Sequence, residues 1–153
     1  MSDPLELKKH IRNVKDFPIK GIEFRDITSL IETPEAFRKT CEALVRMTKN
    51  FAADLVVSVE SRGFIFAGHI ASDLRLPFVL ARKPGKLPNA TYKKSFDLEY
   101  GSTSIEIQKN TEIKIGQKVV IIDDLVATGG TVLASKLALE YSLASVSYTH
   151  LTL

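Results

Sequence analysis

Two nearly uninterrupted runs of aliphatic residues constrain the fold of this chain more than any other feature. They are Leu55–Val59 and Lys118–Ile122, and each leads into a polar loop that contains glycine and then into a stretch of helical character. Runs of this kind are typical of strands that are buried on both faces. Their alternation with helices predicts an α/β fold with a central, mainly parallel sheet flanked by helices. In such sheets ligands bind beyond the carboxyl ends of the strands, so the two loops mark a candidate site.

Other elements are predicted from local signals. A helix is expected from Thr33 to about Phe51, because Thr33 can cap it and Pro34 suits its first position. The remaining predictions are a helix over residues 64–71, a short strand over 77–81 and an alternating edge or antiparallel strand over 104–108.

Length and composition bound the class of protein. The chain has 153 residues, 44% hydrophobic and 25% charged, as is usual for one globular domain. We expect a single domain with an N-terminal segment (residues 1–32), a core (33–141) and a tail (142–153).

An apolar run of the ~20 residues that span a bilayer is absent, as is a signal-peptide pattern. The single cysteine, Cys41, cannot form an internal disulfide, so we expect a cytoplasmic protein. The net charge of +3 is too small to predict nucleic-acid or membrane binding.

The loop after the second strand has the composition of a phosphate cradle. Gly129 and Gly130 lie between a buried strand and a helix, where backbone N–H groups can turn inward around an anion. Thr128 and Thr131 add hydroxyl donors, and the helix N-terminus adds the positive end of its dipole. Neither a Walker A pattern nor a dinucleotide-binding glycine pattern is present.

Two adjacent carboxylates, Asp123 and Asp124, precede this cradle. They would repel a phosphate, so they are better suited to accept hydrogen bonds from sugar hydroxyls or to act through water on a magnesium ion. A phosphate at one end and a diol at the other describe a ribose 5-phosphate. An ordinary turn with a capping aspartate is the alternative.

The segment Val119–Thr131 resembles the phosphoribosyl pyrophosphate (PRPP) motif of type I phosphoribosyltransferases, and its Ala-Thr-Gly-Gly-Thr ending resembles the adenine phosphoribosyltransferases in particular. Three further segments agree. Residues 17–28 are similar to the family's adenine-binding segment, and Glu-Ser-Arg-Gly-Phe at 60–64 resembles its pyrophosphate loop. Residues 82–88 with 98–101 resemble its flexible catalytic loop. The resemblance implies the type I phosphoribosyltransferase fold, with residues 1–32 as a small base-binding hood.

Two of these segments also have a direct physical interpretation. Arg62 is a good partner for pyrophosphate because its fork binds two oxygens, and Gly63 permits a turn that other residues make at a cost; a surface salt bridge is the alternative for Arg62. From 82 to 94 the chain carries five cations and no acid. Proline and glycine oppose regular structure there, so a mobile basic loop is predicted. Beside a phosphate site it is better interpreted as a lid than as a solvated surface or a nucleic-acid patch.

The resemblance implies a reaction of purine salvage, in which adenine and PRPP give AMP and diphosphate. It implies a catalytic carboxylate, Glu99, which is otherwise a surface acid near Lys93 or Lys94, and a purine-stacking ring, Phe24, which is otherwise a core aromatic. The implied PRPP-binding residues are Asp123, Asp124, Ala127, Thr128, Gly129, Gly130 and Thr131. The implied pyrophosphate-binding residues are Ser61, Arg62, Gly63, Arg82, Lys83 and Lys86, and the adenine-binding residues are Glu23, Phe24 and Arg25.

The resemblance also implies Mg²⁺, held through substrate and water without a direct protein ligand, and a homodimer. Two alternatives remain open: a phosphoribosyltransferase for another purine base, and a non-catalytic regulator that senses PRPP. The tail departs from the family pattern, because Ser142 to Thr152 contains no Asp, Glu, Lys or Arg. It is either a weak alternating strand or the product of a truncated or frame-shifted reading frame.

Overall fold

The computed structural model describes residues 4–98, 101–124 and 147–151. The chain divides into two compact units, Met1–Ala43 and Leu44–Leu153. Within the described residues no helix has both the length and the apolar character needed to cross a membrane.

The first unit is built around a short antiparallel hairpin. Its strands, β1 (Arg12–Lys15) and β2 (Glu23–Asp26), pair from Arg12 with Asp26 to Lys15 with Glu23. The turn between them is stabilised by a 2.7 Å hydrogen bond from the Gly21 N–H to Asp16 Oδ1. The helices are α1 (Pro4–Lys8), α2 (Thr28–Ile31) and α3 (Pro34–Phe51), of which α3 continues into the second unit. The predicted limits of α3 are confirmed.

The second unit contains the predicted parallel sheet. Its strands are β3 (Leu55–Val59), β4 (Phe78–Ala81), β7 (Lys118–Ile122) and β8 (Ser147–Leu151), in the order β4-β3-β7-β8. All three pairings are parallel. A helix, α4 (Gly63–Leu74), connects β3 to β4. The unit also contains an antiparallel pair, β5 (Thr91–Leu98) and β6 (Gly101–Gln108), which confirms the antiparallel strand predicted at 104–108.

The two aliphatic runs form the centre of the sheet, as predicted. Every residue of β3 is buried, and so is every residue of β7 after Lys118. One face of the sheet packs against β6, whose Ile105 and Ile107 join the same apolar cluster. Burial of this apolar area is the main favourable contribution to the stability of the unit.

The tail contributes an edge strand. The backbone of β8 pairs with β7 in parallel register, from Lys118 with Ser147 to Ile122 with Leu151. The strand predicted as one interpretation of the tail is therefore present at Ser147–Leu151. This pairing covers the open edge that β7 would otherwise present.

The start of α4 approaches the sheet so closely that only glycine fits there. A Cβ built on Gly63 would lie 2.6 Å from Ser58 Oγ and 3.0 Å from the Ile122 carbonyl oxygen. The same two groups form a buried 2.7 Å hydrogen bond, in which the Ser58 hydroxyl donates. Gly63 is the first residue of α4 and has no left-handed φ. The prediction that it provides a special turn is therefore wrong: Gly63 is required for space.

Replacing Gly63 with Ala should lower the free energy of unfolding by about 1–3 kcal/mol, because the new methyl group must displace Ser58 or the end of β7. Gly68→Ala is the matched control within α4, since a Cβ there meets nothing within 4 Å. That control should gain about 0.5–1 kcal/mol from reduced backbone entropy. Urea unfolding of both variants provides the comparison. Equal stability changes in the two variants would contradict the proposed steric role.

Candidate active site

Three loops leave three neighbouring parallel strands at the same edge of the sheet. β3 is followed by Glu60, β4 by Arg82 and β7 by Asp123. The register pairs Val59 with Ala81 and Ser58 with Ile122, so the loops begin at nearly the same level. The carboxyl ends of parallel strands are where α/β proteins bind ligands. The structure therefore brings together charged groups from three predicted segments.

Asp123 and Asp124 are buried although both are acids. Their exposed fractions are 8% and 6%. Burial first, and the neighbouring charge of Asp124 second, raise the pKa of Asp123 to about 7. The Asp124 N–H opposes this shift by donating a 2.9 Å hydrogen bond to Asp123 Oδ1. Asp123 is therefore poised to lose or gain a proton near neutral pH, and both carboxylates can accept hydrogen bonds from a ligand.

Arg62 lies in the loop after β3, which resembles the family's pyrophosphate loop, and it forms an ion pair with this acid pair. Its Nε lies 2.8 Å from Asp124 Oδ2, and the side chains are 37% and 8% exposed. The alternative of a surface salt bridge is wrong in one respect, because the acidic partner is buried. Arg62 immediately precedes α4, and the Glu60–Ser61 peptide bond that begins its loop is cis.

Glu60 contacts two of the predicted site residues, Arg82 and Lys83, and the sequence patterns did not identify it. Its Oε2 accepts a 2.7 Å hydrogen bond from Arg82 Nε, and its Oε1 accepts a 3.0 Å hydrogen bond from the Lys83 N–H. Burial acts to raise its pKa, but these hydrogen bonds and the charges of Arg82 and Lys83 together hold the pKa below its ordinary value. The contact of Glu60 with Arg82 could have been predicted by aligning the carboxyl ends of β3 and β4, because the two residues directly follow the paired residues Val59 and Ala81.

The basic segment is partly anchored. Arg82 exchanges two backbone hydrogen bonds with Glu106 in β6, and Glu106 Oε2 accepts a 3.2 Å hydrogen bond from the Gly85 N–H. Arg82 Nη1 also donates to the Lys86 carbonyl oxygen at 3.1 Å. Residues 83–90 form neither helix nor strand, as predicted.

The lysines of this segment divide into two groups. Lys93 and Lys94 lie in β5, so the prediction that the loop extends to residue 94 is wrong. Lys83 and Lys86 are exposed, and neither forms an ion pair with any acid in the described part of the chain. Their ammonium groups are therefore available to an anionic ligand.

The predicted adenine-binding residues, Glu23, Phe24 and Arg25, are consecutive in β2. Phe24 is half-buried rather than part of the core. Its ring meets the ring of Phe17 edge to face, with centroids 5.1 Å apart and planes at 69°. Phe17 is 50% exposed. The hairpin thus carries a partly accessible aromatic pair, which suits stacking on a planar base.

The other predicted site residues lie outside the described residues. They are the catalytic carboxylate, Glu99, and the phosphate cradle, Ala127, Thr128, Gly129, Gly130 and Thr131.

Comparison with known proteins gives a consistent result. The family model of the phosphoribosyl transferase domain matches residues 29–146. The chain is 49% identical over 132 residues to the adenine phosphoribosyltransferase of Petrotoga mobilis, covering 86% of this chain and 76% of the relative. It is 50% identical over 135 residues to that of Mycoplasma mobile, covering 88% and 77%.

Solved structures agree with these relatives. The adenine phosphoribosyltransferase of Thermoanaerobacter pseudethanolicus superimposes with a TM-score of 0.86 at 37% identity, covering 97% of this chain and 98% of the other. The Saccharomyces cerevisiae enzyme, complexed with an imino-altritol bisphosphate and adenine, also gives 0.86 at 35% identity, covering 97% and 86%.

Replacing Asp123 with Asn should stabilise the protein increasingly as the pH rises. The folded-state pKa of about 7 exceeds the ordinary value of 3.8, so the folded protein holds this proton more tightly than the unfolded chain. The wild type therefore loses stability between about pH 4 and pH 7, and the variant does not. We expect a gain of about 2 kcal/mol at pH 8 and little gain at pH 4, measured by urea unfolding.

The control is Asp73→Asn, which removes an exposed carboxylate on α4. It should show no such pH dependence. A stability gain for Asp123→Asn that is the same at pH 4 and pH 8 would contradict a raised pKa.

Proposed function

The chain belongs to the phosphoribosyl transferase domain family and, within it, to the adenine phosphoribosyltransferases. From this membership we propose how its residues transfer a phosphoribosyl group from PRPP to adenine. The products of this purine-salvage reaction are AMP and diphosphate, so the enzyme is a pentosyltransferase. The observation that carries the assignment of roles is the meeting of three charged loops at one edge of the parallel sheet.

Basic groups are assigned to the leaving diphosphate. Arg62 and Arg82 follow neighbouring strands, and Lys83 and Lys86 are exposed on the adjacent turn. Ser61 and Gly63 complete this set through the family resemblance. Negative charge grows on the diphosphate as the C1–O bond breaks, and fixed cations stabilise that charge in the transition state. These groups should therefore act on the chemical step and not only on binding.

The acid pair is assigned to the ribose. Asp123 and Asp124 accept hydrogen bonds from the ribose hydroxyls, while the cradle from Ala127 to Thr131 binds the 5-phosphate. Because Arg62 is paired with Asp124 before substrate arrives, PRPP supplies a new partner to each: diphosphate oxygens to Arg62 and hydroxyl donors to Asp124. The ion pair thus neutralises both groups until the substrate replaces it.

Magnesium is proposed to enter with the substrate. Among the described residues no three His, Cys, Asp or Glu side chains are grouped to hold a metal ion. The buried carboxylates of Asp123 and Asp124 are suitable oxygen acceptors for water on a hard cation. When bound, Mg²⁺ supplies charge neutralisation to the leaving diphosphate.

The base is assigned to the β2 segment. Phe24 offers a partly exposed ring for stacking, and the main chain at Glu23 and Arg25 recognises the purine edge. Glu99 is the carboxylate proposed to accept a proton from the purine, or to stabilise its developing positive charge, as N9 attacks C1 of the ribose and the C1–O bond to diphosphate breaks. We further propose that the protein is a cytoplasmic homodimer that acts on small molecules alone.

Turnover with different bases tests the function. With PRPP and Mg²⁺ we expect AMP to form from adenine much faster than nucleotides form from hypoxanthine or guanine. A faster reaction with hypoxanthine or guanine would assign the chain to another base. PRPP binding with no turnover of any base would support the non-catalytic regulator instead.

Removing the exposed lysines, Lys83→Ala with Lys86→Ala, should lower kcat more than it weakens adenine binding. The reason is that these charges meet a group whose negative charge increases toward the transition state. We expect a fall of about tenfold or more in kcat, with an adenine KM within about twofold, in steady-state assays.

The matched control is Lys49→Ala with Lys114→Ala, which removes two exposed lysines elsewhere. It should leave both constants unchanged. A normal kcat with a raised adenine KM in the Lys83/Lys86 variant would show that the basic turn acts on adenine and not on the diphosphate.

A further inference from the structure

Glu60 has no role in the transfer described above, yet its environment is unusual. It follows β3 directly, and its side chain is only 9% exposed. An ionised carboxylate loses hydration when it is buried, and this cost is offset only by close hydrogen bonds. Glu60 has two, from Arg82 Nε at 2.7 Å and from the Lys83 N–H at 3.0 Å. Both donors belong to the basic segment after β4.

These contacts fix the orientation of the Arg82 guanidinium. Nε donates to Glu60, and Nη1 donates to the Lys86 carbonyl oxygen at 3.1 Å. The second N–H of Nη1 and the whole Nη2 group have no acceptor among the residues that the structure describes. An arginine side chain has large rotamer entropy, and the two hydrogen bonds from Nε and Nη1 remove most of that freedom before a ligand binds. The remaining N–H groups can then bind oxygens without further ordering.

The same carboxylate fixes the backbone of the basic turn. Its Oε1 accepts a hydrogen bond from the Lys83 N–H, while Glu106 Oε2 accepts one from the Gly85 N–H. Both acids thus contact the main chain of the turn, and neither pairs with the ammonium group of Lys83 or Lys86. An acid that served only to neutralise charge has no need of a main-chain N–H, which carries no net charge. The arrangement therefore favours orientation over neutralisation.

We propose that Glu60 is a positioning residue for diphosphate recognition, which orders Arg82 and the Lys83 backbone so that their remaining donors and the lysine charges meet the diphosphate of PRPP. Glu60 itself does not touch the substrate. It links the loop after β3 to the loop after β4, so two parts of the diphosphate site form as one unit. This inference rests on the proposed function.

Two substitutions test the role. Glu60→Ala removes both acceptors, and Glu60→Gln keeps one amide oxygen at the same place. We expect Glu60→Ala to raise the PRPP KM and the Kd of magnesium diphosphate about tenfold, while the adenine KM stays within about twofold. Glu60→Gln should recover part of the loss. If Glu60→Ala does not fold, Glu60→Gln provides the test through a smaller shift in the same two constants.

The matched control is Glu112→Gln, which makes the same charge change at an exposed glutamate with no ion pair among the described residues. It should leave all constants unchanged. A double-mutant cycle adds a readout that a purely structural role does not affect. If Glu60 acts in part through Arg82, Glu60→Ala should cost less in an Arg82→Ala background than in the wild type.

Two results would overturn the inference. One is a lowered melting temperature with an unchanged PRPP KM and an unchanged diphosphate Kd. The other is tighter diphosphate binding in Glu60→Ala, which would show that the carboxylate acts mainly by neutralising charge. Failure of the proposed function is separate, because it would appear as absence of adenine turnover in the unmodified protein, whereas diphosphate calorimetry tests Glu60 without turnover.

Discussion

The burial of two adjacent carboxylates at the end of β7 is the constraint on which the described site depends. Asp123 and Asp124 follow a strand that is buried on both faces, so neither acid reaches bulk water freely. Lost hydration first, and the neighbouring charge of Asp124 second, raise the pKa of Asp123 to about 7. One of them needs a cationic partner, and Arg62 supplies it at 2.8 Å. The charge of the loop after β3 is thus matched to the charge of the loop after β7.

The position of Arg62 depends in turn on a steric feature with no charge. α4 begins at Gly63, where an added Cβ would lie 2.6 Å from Ser58 Oγ and 3.0 Å from the Ile122 carbonyl oxygen at the end of β7. The Ser58 hydroxyl joins the two strands at that level through the Ile122 carbonyl oxygen. A Cβ at position 63 would force Ser58 or the end of β7 to shift, directly beside the start of the helix that Arg62 precedes. Packing of helix on sheet therefore sets the geometry of an electrostatic contact.

The sequence predicted the parts of this arrangement that depend on local pattern. The buried strands, the limits of α3 and the charged loops at the strand ends follow from periodicity and residue type, which act over a few neighbouring residues. Gly63 was identified for the wrong reason and Glu60 was missed, because both depend on contacts between segments distant in sequence. Glu60 and Arg82 are 22 positions apart, and only the register of β3 with β4 makes them neighbours. The strand β5 was missed, and its first residues were assigned to the basic loop, because β5 depends on pairing with β6 rather than on the basic residues it contains.

The two arginines of the site are paired with acids of different kinds, and this difference has a consequence for the proposed binding of substrate. Arg82 is bonded to Glu60 and to the Lys86 carbonyl oxygen, and Glu60 also binds a main-chain N–H of the same turn. Breaking the two hydrogen bonds to Glu60 would leave its nearly buried carboxylate without donors, which is unfavourable in free energy. In the proposed reaction, the acid partner of Arg62 is one that ribose hydroxyls can satisfy instead, so PRPP supplies a new partner to each member of the Arg62–Asp124 pair. Arg82 stays bonded to Glu60 and offers the diphosphate only the N–H groups that its anchors leave unused.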